Sequence, residues 1–182
     1  NRILTNYRFL SHSLFLNIFL IFKHEKFFSG IIRLMFSQNE DELMSFGRRL
    51  GNLLVAQDVV VLSGDLGAGK TTLTKGIAQG LDIKQMIKSP TYTIVREYDG
   101  RLPLYHLDVY RIGEDPDSID LDDFLFGEGV TVIEWGELLL ASLPQDYLKI
   151  KILKENDGRR LVFEATGERS QSLLQQIENG VL

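Results

Sequence analysis

The chain has 182 residues, 44% hydrophobic and 25% charged, with a formal net charge of −5, which is the balance of an ordinary globular domain long enough to bury a core. Residues 1–34 hold five Lys or Arg and one Glu, so the acidic excess falls on residues 35–182, and tight direct binding of a nucleic-acid backbone by that part alone is not expected. There is no cysteine, which excludes disulfide and thiolate chemistry.

Residues 1–34 are rich in Phe and Leu, with an apolar run Leu14–Phe22 broken only by Asn17. The run is shorter than the roughly 20 residues a membrane span needs. Arg2 and Arg8 precede it as in a signal peptide, but no small-x-small cleavage site follows. We expect residues 1–34 to be an upstream extension, with an added helix or a targeting segment as the other readings, and residues 35–182 to form the working domain.

Ser37-Gln38-Asn39-Glu40 has the spacing of a capping box. Leu43, Phe46, Leu50 and Leu54 follow at helical intervals, which predicts an amphipathic helix over 38–56. Val59-Val60-Val61-Leu62 suits a buried strand. A glycine-rich loop comes next, then a helix over 70–81. Asp99-Gly100 between 93–98 and 102–107 signals a hairpin. The acidic stretch 114–126 contains a short helix around 120–126. Val130–Glu134 reads as a second buried strand, followed by a helical turn. A second hairpin joins 147–153 to 159–166 through Asn156-Asp157-Gly158, and a closing helix spans 170–178. Hairpins mixed with strand–loop–helix units predict an α/β fold: a mixed parallel and antiparallel sheet flanked by helices.

The loop Gly64-Asp65-Leu66-Gly67-Ala68-Gly69-Lys70-Thr71 satisfies G-x-x-x-x-G-K-[ST], the P-loop of NTPases. Glycines let the backbone wrap phosphate oxygens and turn successive N–H groups inward. The helix N-terminus that follows favours negative charge. Lys70 can reach the β- and γ-phosphates, and Thr71 can offer its hydroxyl to Mg²⁺. The nucleotide-binding residues expected are therefore Asp65, Leu66, Gly67, Ala68, Gly69, Lys70, Thr71 and Thr72.

Such a site also needs a carboxylate near the metal, at the end of a neighbouring strand. Glu134 ends one buried strand and Asp108 ends another. Either could hold Mg²⁺, directly or through water, or orient the attacking water; a surface carboxylate at a strand end is the bland alternative. Ser89-Pro90-Thr91-Tyr92-Thr93 is a hydroxyl-rich loop that could answer to a γ-phosphate, or be an ordinary turn. His106 has no His or Cys near it in sequence, so it reads as packed or hydrogen-bonded rather than as a metal ligand. Trp135 could pack near a nucleotide, in the core or against a partner.

Gly-Asp-Leu-Gly-Ala-Gly-Lys-Thr-Thr at 64–72, Ser-Pro-Thr-Tyr-Thr at 89–93, His-Leu-Asp-Val-Tyr-Arg at 106–111 and Ile-Glu-Trp-Gly-Glu at 133–137 occur in this order. Jointly they resemble the TsaE family, the small bacterial ATPases of tRNA threonylcarbamoyladenosine biosynthesis, over about residues 36–166. The resemblance implies a cytoplasmic P-loop ATPase, weak alone, that uses ATP and Mg²⁺. Its implied partner is a heterodimer of a threonylcarbamoyl-transferase and its inactive paralogue, with tRNA engaged only indirectly and no membrane. It also implies that Lys70 and Thr71 bind phosphate and Mg²⁺, that Glu134 joins the metal site, and that Asp108 is needed for hydrolysis. Thr91 and Thr93 would lie in a switch-like loop. Gly136 stands where many relatives have Pro, a small change in a turn.

A P-loop small-molecule kinase is the alternative, but it needs an acceptor pocket and usually an Arg-rich lid, and residues 112–158 contain no Arg. A GTPase switch would carry an Asn-Lys-x-Asp base-reading motif, which is absent. A membrane-associated ATPase would rest on residues 1–34 alone.

Overall fold

Two runs of mainly β-branched residues, Val59–Ser63 (β2) and Val130–Glu134 (β5), pair in parallel at the centre of the molecule and are buried along their whole length. Both faces of these strands are covered, which is why neither sequence alternates polar with apolar residues. The structure, a computed structural model, describes residues 32–112 and 120–179. Of the expected extension 1–34, residues 1–31 lie outside the described residues, as do residues 114–119 of the acidic stretch 114–126.

The remaining strands are β1 (Ile32–Ser37), β3 (Val95–Tyr98), β4 (Leu104–Asp108), β6 (Leu148–Glu155) and β7 (Gly158–Ala165). The sheet order is β1-β7-β6-β2-β5-β4-β3. The four strands β6, β2, β5 and β4 are parallel, and the flanking pairs β3–β4, β6–β7 and β1–β7 are antiparallel. Both hairpins expected from the Asp99-Gly100 and Asn156-Asp157-Gly158 turns are present. The expected boundary at Met35 falls inside β1, whose first residues already pair with β7: Ile32 lies opposite Glu164.

Helices α1 (Glu40–Leu53), α2 (Lys70–Gly80) and α4 (Glu168–Glu178) contribute to the larger core cluster, while the short α3 (Asp122–Leu125) and a 3-10 turn at Gly136–Leu139 pack with the smaller one. The start of α1 differs from the expected capping box. Ser37 is the last residue of β1, and the N-cap is Asn39, whose Oδ1 accepts from the Glu42 backbone N–H at 2.9 Å. Glu42 reaches back to accept from the Gln38 N–H. Strand pairing of Ser37 with Arg159 keeps its backbone out of the cap, so the motif moves two residues along.

Helices α1 and α2 lie backbone to backbone. A Cβ at Gly47 would stand 2.5 Å from the Leu73 carbonyl oxygen, and one at Gly76 would stand 2.2 Å from that of Met44. Arg101 closes the far ends of both helices, donating to the carbonyls of Gly51 and Leu54 on one side and Gly80 on the other. A single guanidinium thus satisfies C-terminal carbonyls that burial would leave without water. This pairing fixes the N-termini of α1 and α2 side by side above the carboxyl ends of the parallel strands.

Candidate functional site

The carboxyl ends of β2, β4 and β5 and the N-terminus of α2 enclose a cleft of about 350 Å³, which is where open α/β sheets place their ligands. The floor is the loop between β2 and α2. Its glycines have the conformations the chemistry requires: φ is 137° at Gly64, 72° at Gly67 and 115° at Gly69. At Gly64 a side chain is also excluded by space, since a Cβ would stand 2.3 Å from the Ile152 carbonyl oxygen.

Lys70 is only 5% exposed. Its Nζ donates to the carbonyls of Gly64 at 2.6 Å and Asp65 at 3.1 Å, and lies 3.7 Å from the centroid of the Trp135 ring. Burial holds the ammonium pKa below its usual value, against the opposing pull of Glu134, Glu137, Asp108 and Asp65. A cation held in this way is poised to meet an anion, which would relieve the desolvation.

Thr71 is the second residue of α2 and its Oγ1 donates to Glu134, 2.9 Å from Oε1 and 3.2 Å from Oε2. Glu134 is 3% exposed, and its Oε1 also lies 2.9 Å from Nε2 of the fully buried His106. The sequence reading of His106 as hydrogen-bonded agrees with this contact. Asp108 sits directly across the β4–β5 pair from Glu134 and is likewise 3% exposed. Its Oδ2 accepts from the Thr91 hydroxyl at 2.6 Å, and its Oδ1 accepts from the Tyr110 N–H at 3.1 Å. Thr91 gives its only proton to Asp108, so Ser89, 2.6 Å away, donates to Thr91. A hydroxyl relay therefore runs from the loop at Ser89 to the carboxylate.

The structure brings Leu66, Gly67, Gly69, Lys70, Thr71, Thr72, Thr91, Asp108 and Glu134 to one cleft. Ala68 is buried beneath the loop, where its carbonyl accepts from Arg159. Asp65 is exposed on the loop, and its backbone carbonyl accepts from Lys70. Thr93 does not line the cleft: its exposed residue turns its hydroxyl back to the Pro90 carbonyl at 3.5 Å. The turn is completed by Ile94 at φ 69°, an uncommon conformation for a β-branched residue, held because its carbonyl accepts from the Asp108 N–H at 2.9 Å.

Trp135, which the sequence left open between the nucleotide, the core and a partner, lies at the cleft, whereas Arg111, Lys154 and Arg159 were not legible as site residues. Trp135, at φ 62°, packs on Tyr110 with ring centroids 4.9 Å apart and walls the cleft beside Lys70. Arg111 lines the cleft and lies over the Tyr92 ring. From the second hairpin, Lys154 donates to the Leu66 carbonyl at 3.0 Å and Arg159 Nε donates to that of Ala68 at 2.7 Å. The two cations brace the outer side of the phosphate loop, and nothing in their local sequence separates them from solvated charges at a strand end.

The oxygen donors of Thr71 and Glu134 suit a hard cation such as Mg²⁺, which takes one or two protein ligands and completes its shell with phosphate and water. No helix among the described residues is long and apolar enough to cross a membrane.

With this geometry in view, the likeness to known proteins is specific. Residues 37–162 match the sequence profile of the family described as threonylcarbamoyl adenosine biosynthesis protein TsaE. The tRNA threonylcarbamoyladenosine biosynthesis protein TsaE of Bacillus subtilis is 43% identical over 141 residues, 76% of this chain and 89% of that protein. The protein of the same description from Treponema pallidum is 43% identical over 131 residues, 71% of this chain and 97% of the relative. The crystal structure of Bacillus subtilis YdiB superposes with a TM-score of 0.74 at 38% identity, covering 82% of this chain and 96% of that one.

Proposed function

Since the chain belongs to the TsaE family, we propose that it serves tRNA threonylcarbamoyladenosine biosynthesis as a Mg²⁺-dependent ATP hydrolase. The observation that carries the reading is the convergence of Lys70, Thr71, Glu134 and Asp108 on one cleft at the mouth of a glycine-shaped loop.

The loop N–H groups and Lys70 bind the ATP phosphates, Lys70 exchanging its carbonyl partners for phosphate oxygens. Thr71 and Glu134 hold Mg²⁺, which when bound neutralises charge on the β- and γ-phosphates. Asp108 orients the attacking water. Water adds to the γ-phosphorus, the bond to the β–γ bridging oxygen breaks, and ADP and inorganic phosphate leave. The Ser89–Thr91 relay to Asp108 ties the loop to the γ-phosphate side of the cleft, so that ATP and ADP favour different loop positions.

The partner is a cytoplasmic heterodimer of a threonylcarbamoyl-transferase and its inactive paralogue. The acidic excess of residues 35–182 supports tRNA being met through that complex. The test is to mix this chain with the purified heterodimer under ATP, a non-hydrolysable analogue, ADP and no nucleotide. Association that depends on the nucleotide, with faster turnover in the presence of the heterodimer, is expected. Equal binding in all states, or none, with unchanged turnover, overturns the role in the pathway.

A further inference from the structure

We propose that His106 is a positioning residue that holds the Glu134 carboxylate in the orientation needed to bind the metal, an inference that rests on the function proposed above. His106 lies on β4 between Leu104 and Asp108, which share its face at intervals of two residues. The same layer contains Val130 and Val132 of β5, with Val132 directly opposite His106. The imidazole is 0% exposed. An aromatic ring with two polar nitrogens is a costly choice there, because a buried polar group without a partner loses its hydration and gains nothing.

One nitrogen is repaid and the other is not. Nε2 lies 2.9 Å from Glu134 Oε1, whereas Nδ1 has no hydrogen-bond partner among the described residues. An ionised carboxylate only accepts, so Nε2 carries the proton and donates. The carboxylate is thus gripped from two sides, by His106 beneath it and by Thr71 from the helix N-terminus. These contacts restrict rotation of the terminal carboxylate, and the groups around a metal ligand set its geometry in this manner. A residue present only to fill the core would serve better as leucine, which leaves no orphaned nitrogen. The imidazole does not touch the cleft, so it acts through Glu134.

The test compares the parent chain with His106→Leu and His106→Gln. Mn²⁺ binding is followed by electron paramagnetic resonance in the presence of ADP, ADP binding is measured separately in EDTA, and melting curves are recorded. His106→Leu is expected to melt at or above the parental temperature, to bind ADP normally in EDTA, and to bind Mn²⁺ about tenfold more weakly. His106→Gln places an amide donor near the position of Nε2 and is expected to recover most of the loss. If His106→Leu does not fold, His106→Met replaces it as the variant without a donor. Parental Mn²⁺ affinity in the donorless variant, or equal loss in the leucine and glutamine variants, overturns the inference alone. Failure of the parent chain to bind Mn²⁺ with ADP overturns the proposed function and this inference together.

Discussion

The hydroxyl of Thr71, first residue after the P-loop lysine, donates to Glu134, the last residue of β5, across 2.9 Å. This contact joins the phosphate loop to the central sheet. It predicts that Thr71→Ser, which keeps the hydroxyl, retains most turnover, while Thr71→Val and Glu134→Gln each lose about a hundredfold, the scale for removing one group that stabilises charge in a transition state. Steady-state hydrolysis over a range of Mg²⁺ concentrations checks this. Turnover equal to the parent in both Thr71→Val and Glu134→Gln would remove the pair from the metal site.

Lys70→Met is expected to lose at least a hundredfold in turnover while remaining folded. The lysine gives up hydrogen bonds to the Gly64 and Asp65 carbonyls, but its burial already holds the ammonium pKa down, so the two effects oppose each other. A melting-temperature change of only a few degrees is expected, since about 1 kcal/mol moves a domain of this size by roughly 2–4 °C. Full turnover in a folded variant would refute the phosphate-loop assignment.

Thr91 and Asp108 are expected to act as one unit. Thr91→Val and Asp108→Asn should each lower turnover and preserve nucleotide binding, and the double variant should lose less than the two single losses combined. A coupling of about 1 kcal/mol is the expected size for side chains in direct contact. Strict additivity in the double-mutant cycle would mean that the hydroxyl loop does not work through Asp108.

Asp146 supplies a prediction about acid stability. Burial alone would raise its pKa, but bonds from Ser170, the backbone N–H of Arg169 and the Arg169 charge together hold it below the usual value. Its oxygens accept from the N–H groups of Arg169 at 2.8 Å and Ser170 at 3.0 Å, so it caps the start of α4 from a neighbouring segment. A carboxyl with a lowered folded-state pKa contributes stability above its unfolded value, about 3.9, and that contribution is lost as pH falls through the lower folded value. Asp146→Ala should therefore cost about 1 kcal/mol at neutral pH, as loss of a cap does, and the difference from the parent should shrink as pH falls through the lowered folded-state value. Chemical denaturation at several pH values decides it; a difference that persists unchanged in acid would place the effect elsewhere.

From α1 onward the order of strands and helices was legible because each carries its own local signature; β1 was not, because its residues 32–37 straddle the expected boundary at Met35 and it is defined by pairing with β7. Val59–Leu62 and Val130–Ile133 are β-branched runs, Asp99-Gly100 marks a turn, and the glycines of 64–69 answer a conformational demand that only glycine meets cheaply. The α1 cap was displaced by two residues because strand pairing claimed Ser37, and a local motif gives no sign of a competing long-range hydrogen bond. Thr91 and Thr93 are equivalent in sequence, yet the Pro90–Ile94 turn sends one hydroxyl to Asp108 and the other back to Pro90.

The sequence by itself determined that a phosphate loop sits between a buried strand and a helix, and that Glu134 and Asp108 end strands, because these are properties of contiguous residues and of the periodicity of a strand. Only the tertiary structure decided that Asp108 and Glu134 face each other across a parallel pair, that His106 lies beneath Glu134, and that Arg159 braces Ala68 from 91 residues away. Those relationships depend on sheet order and register, which arise when non-adjacent strands bury their apolar faces against the same helices, and no stretch of chain short enough to be read locally contains both partners.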